Sequence, residues 1–289
     1  MRVIAVIITF HPELTALQKM ICSLKKQHIN AVVVDNSPNQ VLLDLPIPKD
    51  NIIYNSQNLG IAKAQNLGIE NALNQGADFI CFFDQDSKIP ENFYSDMIYG
   101  KDPQVNSVFC PVVIDEKTGQ ELPNFKLSKF GLGQKSYSRG LESNLSVDLA
   151  ISSGSVATAN VFKIAGLMDD KLFIDLVDFE WCFRCIKYSI PIICIPTVEL
   201  LHSIGDGKSK VPLGGSIHSP FRTYYKNRNP FYLLSKSHIP FLYSFKLILS
   251  SNIQLFLSVV FGKNKWQHFI SGCKGIHDGL TFLIKKQKG

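Results

Sequence analysis

Apolar residues along the chain gather into runs, and the runs alternate between two kinds of spacing. Residues 3–9 (VIAVIIT), 31–35 (AVVVD) and 79–83 (FICFF) are nearly continuous apolar stretches of strand length, each followed by a polar cluster. Runs of this kind predict strands covered on both faces. A further short strand is expected at 51–55. Pro12 and Glu13 open a helix reaching about Leu24, and Ile61 to Asn74 reads as a second helix with Gly76 just beyond its end. This alternation predicts an α/β protein with a mostly parallel central sheet flanked by helices. Its site is expected at the carboxyl ends of the strands.

The pattern is less regular after residue 100. Residues 105–114 suggest a strand, and 117–146 form a polar excursion. The segment 150–162 carries Ser152-Ser153-Gly154-Ser155 and leads to a helix near Ala165. A helix follows Asp178-Phe179-Glu180-Trp181 as far as Tyr188, and 190–196 and 198–202 read as two strands. From Pro220 the chain is basic, aromatic and helical in its spacing.

Charge changes the picture more than composition does. Residues 207–289 hold 13 Lys and Arg against one acid, Asp278, a balance of +12; the other 206 residues carry 17 against 23, or −6. A basic tail on an acidic body implies an anionic partner for the tail. Its cations are interleaved with long apolar stretches and match no nucleic-acid motif, so nucleic acid is not the expected partner. Seven scattered cysteines, several in apolar runs, suit reduced thiols and a cytoplasmic chain; Cys182 and Cys185 lack the second pair that a zinc site would need. The opening residues read as a buried strand rather than a secretory signal.

The candidate chemistry sits where the strands end. Asp84-Gln85-Asp86 places two carboxylates one residue apart after a buried run, an arrangement that a divalent cation bound to diphosphate oxygens would neutralise. Asp35 ends another buried strand, where a carboxylate can accept hydrogen bonds from a base or ribose. Asn58-Leu59-Gly60 opens the helix that carries Ala64, Asn66 and Gly68; its small residues permit close approach to a nucleotide, and Asn66 is placed to hold a loop from inside.

Taken together and in order, these residues resemble the family-2 glycosyltransferases over about residues 1–230. The resemblance runs through Thr9-Phe10, Asp35-Asn36-Ser37, Asn58-Leu59-Gly60, Asp84-Gln85-Asp86, Ser153-Gly154 and Asp178-Phe179-Glu180-Trp181-Cys182-Phe183-Arg184. FFDQDS and VDFEWCFR look most like the bacterial rhamnosyltransferases of O-antigen and capsule assembly.

The resemblance implies a GT-A fold, a Rossmann-like sheet with a helical basic C-terminal extension, and inverting, metal-dependent transfer. Residues 1–100 would form the nucleotide-sugar-binding half, 101–230 the acceptor and catalytic half, and 231–289 the extension. It implies Asp178 as base, with Glu180 as alternative or orienting partner, and Asp84, Asp86 and His202 around Mg2+ or Mn2+. Thr9, Asp35, Asn58, Gly60, Asn66, Asp84, Arg222, Tyr225 and Arg228 would hold the donor, and Ser153, Gly154 and Trp181 would face the acceptor. The donor implied is dTDP-L-rhamnose, with a UDP-hexose as alternative, and the acceptor a lipid-linked glycan. A non-catalytic nucleotide-sugar-binding or nucleic-acid-binding protein is a further alternative, and the oligomeric state is left open.

Residues 239–261 are largely apolar but interrupted by Lys246, Asn252 and Gln254. Lys236, Lys263, Lys265 and the terminal Lys285-Lys286-Gln287-Lys288 flank them. This suits an interfacial helix on anionic lipid and a peripheral place at the cytoplasmic face of the inner membrane. A helix packed on the catalytic domain or in a dimer is the alternative.

Overall fold

The structure is a computed structural model that describes residues 1–38, 44–202 and 218–286. Strands β1 (Val3–Thr9), β2 (Asn30–Asp35), β3 (Ile52–Tyr54) and β4 (Phe79–Asp84) lie in the order β3–β2–β1–β4, all parallel. Helices α1 (Leu14–Lys26) and α2 (Ile61–Asn74) make two of the crossovers. Six of the seven residues of β1 are buried, as parallel strands covered by helices must be. Each large apolar side chain withdrawn from water here contributes about 1.5–3 kcal/mol. The helix boundaries have local causes. Glu13 caps α1 by accepting hydrogen bonds from the amides of Thr15 (3.0 Å) and Ala16 (2.6 Å), while Leu17, Met20, Ile21 and Leu24 turn one stripe inward. A Cβ on Gly68 would lie 2.3 Å from Val6 Cγ1, and Ala64 is fully buried. The small residues of α2 therefore serve helix–sheet packing, not the approach to a nucleotide expected of them.

After the short helix α3 (Phe93–Met97) the sheet becomes mixed. Strand β5 (Val108–Asp115) is followed by the small strands β6 (Glu121–Leu122), β7 (Asn124–Leu127), β8 (Gly133–Ser136) and β9 (Leu145–Val147), which occupy the polar excursion. Strand β10 (Val156–Thr158) inserts antiparallel between β4 and β5, and helices α4 (Ala159–Ala165) and α5 (Val177–Lys187) follow. Strand β11 (Ile192–His202) pairs parallel with β5 and antiparallel with β9. The two strands expected over 190–202 are one strand with a register shift between Ile195 and Glu199. Pro196, which has no N–H for the ladder, lies at that irregularity.

The chain divides into two compact units. The first holds the sheet and α1 to α5. The second comprises Leu127–Gln134, Ile174–Leu176 and, among the described residues, the chain from His218 onward: α6 (Pro220–Leu234), α7 (Phe241–Phe261) and α8 (Lys265–Lys286). Helix α6 groups with α7 and α8 rather than with an acceptor half, because its packing partners are these two helices.

Candidate active site

The carboxyl ends of β1, β2 and β4 carry Thr9, Asp35 and Asp84. Thr9 and Asp35 are register partners, and the Thr9 hydroxyl donates to Asp35 Oδ1 at 2.9 Å. The same oxygen accepts from the Ser37 hydroxyl at 2.7 Å. Asp35 is buried, so its carboxylate is held in one orientation. Two residues that the motifs contained but did not single out lace the loops to one another. Asn36 donates to Asn58 Oδ1 and to the Gly60 carbonyl, and accepts from Asn55 Nδ2 and the Leu59 amide. Gln85, between the two aspartates, accepts from the Phe10 amide at 2.7 Å and donates to the Phe10 carbonyl at 3.2 Å. The signal for both is the same: a carboxamide directly after a buried strand, able to satisfy a donor and an acceptor at once.

Gly60 occupies a position that only glycine fits. Its φ is +82°, and a Cβ would lie 2.6 Å from the Phe173 ring. The Phe173 carbonyl accepts from the Ile61 amide at 2.7 Å, so one orphan donor at the start of α2 is already satisfied by protein. Asn66 holds a loop from inside, as its place on the helix suggests. Its amide is buried, donates to the Met168 carbonyl (2.9 Å) and accepts from the Met168 amide (2.8 Å), so it anchors that loop from within.

Asp84 ends β4 with its carboxylate 3.6 Å from Nδ1 of His202, the last residue of β11. Withdrawal from water raises the Asp84 pKa; His202 opposes that shift and the neighbouring Asp86 reinforces it. His202 Nδ1 is buried and has no hydrogen-bond partner among the described residues. An imidazole nitrogen left unsatisfied beside a carboxylate is a donor set that suits Mn2+ or Mg2+. Asp86 is exposed. Among the described residues no three His, Cys, Asp or Glu side chains converge on one point, so an ion here would draw its remaining ligands from the substrate, from water or from a shift of Asp86. Ser153, whose hydroxyl lies 3.3 Å from that of Ser87, also hydrogen-bonds Asp84. Gly154 has φ +76°, and a Cβ there would meet Leu200 and Pro111 at 2.7 Å. Its role is therefore to let this turn close against the sheet.

Asp178 and Glu180 lie in the first turn of α5, not in extended backbone. Asp178 lines a small cavity with Ser152, Ser155, Met168 and Trp181. Glu180 is buried and paired with Arg184, whose Nη2 is 2.8 Å from Oε2 and whose Nη1 donates to the Ala165 carbonyl. Glu180 is thus a structural ion pair, a correction to its candidacy as base. The Trp181 indole donates to the Gly166 carbonyl and stacks on Phe162, while one side of the residue lines the cavity that Asp178 also lines. Glu180→Gln is expected to cost about 3 kcal/mol by leaving Arg184 without its counter-charge, with turnover per folded molecule unchanged. Urea denaturation paired with kinetics checks this, and a collapse of kcat at unchanged stability would return Glu180 to the chemistry.

Arg222, Tyr225 and Arg228 lie on α6, in the second unit, and their side chains are engaged there. Arg222 grips Asp175 with its guanidinium fork, at 2.7 Å for Nη2 to Oδ1. Arg228 donates to Asn229 Oδ1 and rests over the Tyr225 ring at 4.7 Å. The expected phosphate contact of Arg222 is replaced by this ion pair. Asp175 and Leu176 have φ of +65° and +67°, and Asn229 donates to the Ile174 and Asp175 carbonyls. Strained residues such as these persist only where neighbours hold them, which is what Arg222 and Asn229 do.

A parallel β–α half with carboxylates at its strand ends, continued by a mixed half with an antiparallel strand between, is the architecture of the GT-A class. The chain belongs to glycosyl transferase family 2, whose family model matches residues 5–150. It is 39% identical over 285 residues to the dTDP-rhamnosyl transferase RfbF of Shigella flexneri, covering 95% of this chain and 96% of that one. It is accordingly a rhamnosyltransferase-like glycosyltransferase. Among solved structures, S. aureus TarS 1–349 in complex with UDP-GlcNAc shares the fold at a TM-score of 0.57 and 16% identity, over 98% of this chain and 81% of that one. GalNAc-T7 with UDP, GalNAc and Mn2+ gives a TM-score of 0.56 and 13% identity over 88% of this chain, which spans 55% of its length.

Proposed function

We propose that this glycosyltransferase transfers L-rhamnose from dTDP-L-rhamnose, with inversion, to a hydroxyl of a lipid-linked glycan at the cytoplasmic face of the membrane. The observation that carries the donor is the 39% identity, over nearly the whole length of both chains, to a dTDP-rhamnosyl transferase. In this reading Asp35, fixed by Thr9 and Ser37, accepts from the base or ribose. Asp84 and His202 would hold Mn2+ or Mg2+, which would supply positive charge to the leaving diphosphate. Asp178 takes the proton of the acceptor hydroxyl as its oxygen bonds to the anomeric carbon and the carbon–diphosphate bond breaks.

The test is the thermal stability of the purified protein with dTDP, UDP or GDP, each with and without Mn2+ or Mg2+. A ligand at a hundredfold excess over its Kd stabilises by about 2.7 kcal/mol, so the preferred nucleotide stands out. A metal-dependent shift for dTDP is expected. A larger shift for UDP would overturn the rhamnose donor and leave the family and fold intact.

A further inference from the structure

The second unit is built with its polarity reversed. Along α7 the buried residues are Tyr243, Ser244, Ser251 and Ser258, three serines at seven-residue spacing. The opposite side presents Leu242, Phe245, Leu249, Ile253, Phe256 and Val260, all exposed, with Phe256 at 65%. A helix covering a water-soluble core does the opposite. Only 17% of the most apolar 18-residue window of α7 is buried, although its mean hydropathy is 1.5.

Helix α8 repeats the scheme. It turns His268, Gly272, Gly275 and Gly279 inward and exposes Trp266 (70%), Phe269, Ile270, Leu280 and Ile284. A Cβ on Gly275 would lie 2.3 Å from the Tyr224 carbonyl oxygen of α6, so the two backbones meet directly. The interior between the helices is polar: Thr223 and His268 share a 2.9 Å hydrogen bond, and Asn227 and Asn229 are buried. The Ser251 and Ser258 hydroxyls bond back to carbonyls of their own helix. Small and polar residues inside with large apolar ones outside is the arrangement of helices that pack within lipid.

Charge identifies the lipid. Lys246, Lys263, Lys265 and Lys274 are exposed on α7, α8 and the turn between them, and Asp278 is the one acid after residue 206. Helix α8 carries Lys274, His277 and Asp278 near its middle, which a spanning helix would have to desolvate. We infer that α7 and α8 lie in the plane of an anionic leaflet as a pair, with their outer apolar faces in the acyl boundary, their lysines at the headgroups and Trp266 among the anchors. This rests on the membrane placement proposed above and goes beyond a single interfacial helix: α8 is an equal partner.

The experiment uses the full chain with vesicles of phosphatidylcholine alone or mixed with phosphatidylglycerol. Flotation with the mixed vesicles, weakened by salt, is expected. The double substitution Leu249→Glu with Phe256→Glu, both on the exposed face, should lower vesicle binding at least about tenfold. Its dTDP-induced thermal shift should be unchanged, which separates loss of the lipid contact from loss of the donor site. Bromine-labelled acyl chains should quench Trp266 and spare Trp181, which is buried in the first unit. Wild type that ignores every vesicle, or Trp266 that escapes quenching while bound, would overturn the inference. So would a wild-type dimer that the double substitution turns into a monomer, since a second copy would then cover the face.

Discussion

Asp178→Asn is expected to lower kcat by about 10³-fold, within the range that a positioned base contributes, while the dTDP-induced thermal shift stays near that of wild type. The substitution keeps shape and removes the proton acceptor. The case for Asp178 is sharpened by what happens two residues later: Glu180 is committed to Arg184 and buried, leaving Asp178 as the acid of this helix turn that lines a cavity. Single-turnover kinetics with saturating donor is the decisive measurement, because it reads the chemical step apart from binding. Loss of donor binding with kcat preserved would assign Asp178 to the nucleotide and not to the acceptor proton.

Removal of the divalent ion is the other large effect. Chelation should abolish transfer, and Mn2+ should restore it. Asp84→Asn is expected to reduce kcat/KM by about 10³-fold, since an ion held there would contribute several kcal/mol of stabilisation to the developing diphosphate charge. His202→Ala should weaken metal affinity in step with activity, so that raised Mn2+ partly rescues it. The reasoning is structural. His202 Nδ1 is buried 3.6 Å from Asp84 with no hydrogen-bond partner among the described residues, and a histidine kept in that condition for packing alone would carry the cost of an unmet hydrogen bond. Full activity in both variants, with unchanged sensitivity to chelation, would place the ion elsewhere.

The first half of the chain was largely legible as a string of letters. Val3–Thr9 and Phe79–Asp84 are too apolar to be exposed, and the polar residue that ends such a run must stand at a sheet boundary. That reasoning located Asp35 and Asp84, and helix punctuation located α2. Pairing partners were not legible. Asn66 and Arg222 are polar residues in motif positions, and nothing in their neighbours along the chain reveals that Met168 and Asp175 claim them.

What the sequence by itself determined is the order of the strands and helices through β4, the carboxylates at the strand ends and the basic, apolar character of the tail. Each follows from local burial and charge. Only the tertiary structure decided which of two acids two residues apart faces a cavity, because successive helical residues turn by about 100° and their surroundings come from distant segments. It also decided that the apolar side of α7 points outward and its serines inward. Helical spacing predicts that a helix has two faces; which face is buried depends on the polar groups of α6 and α8 that wait on the other side.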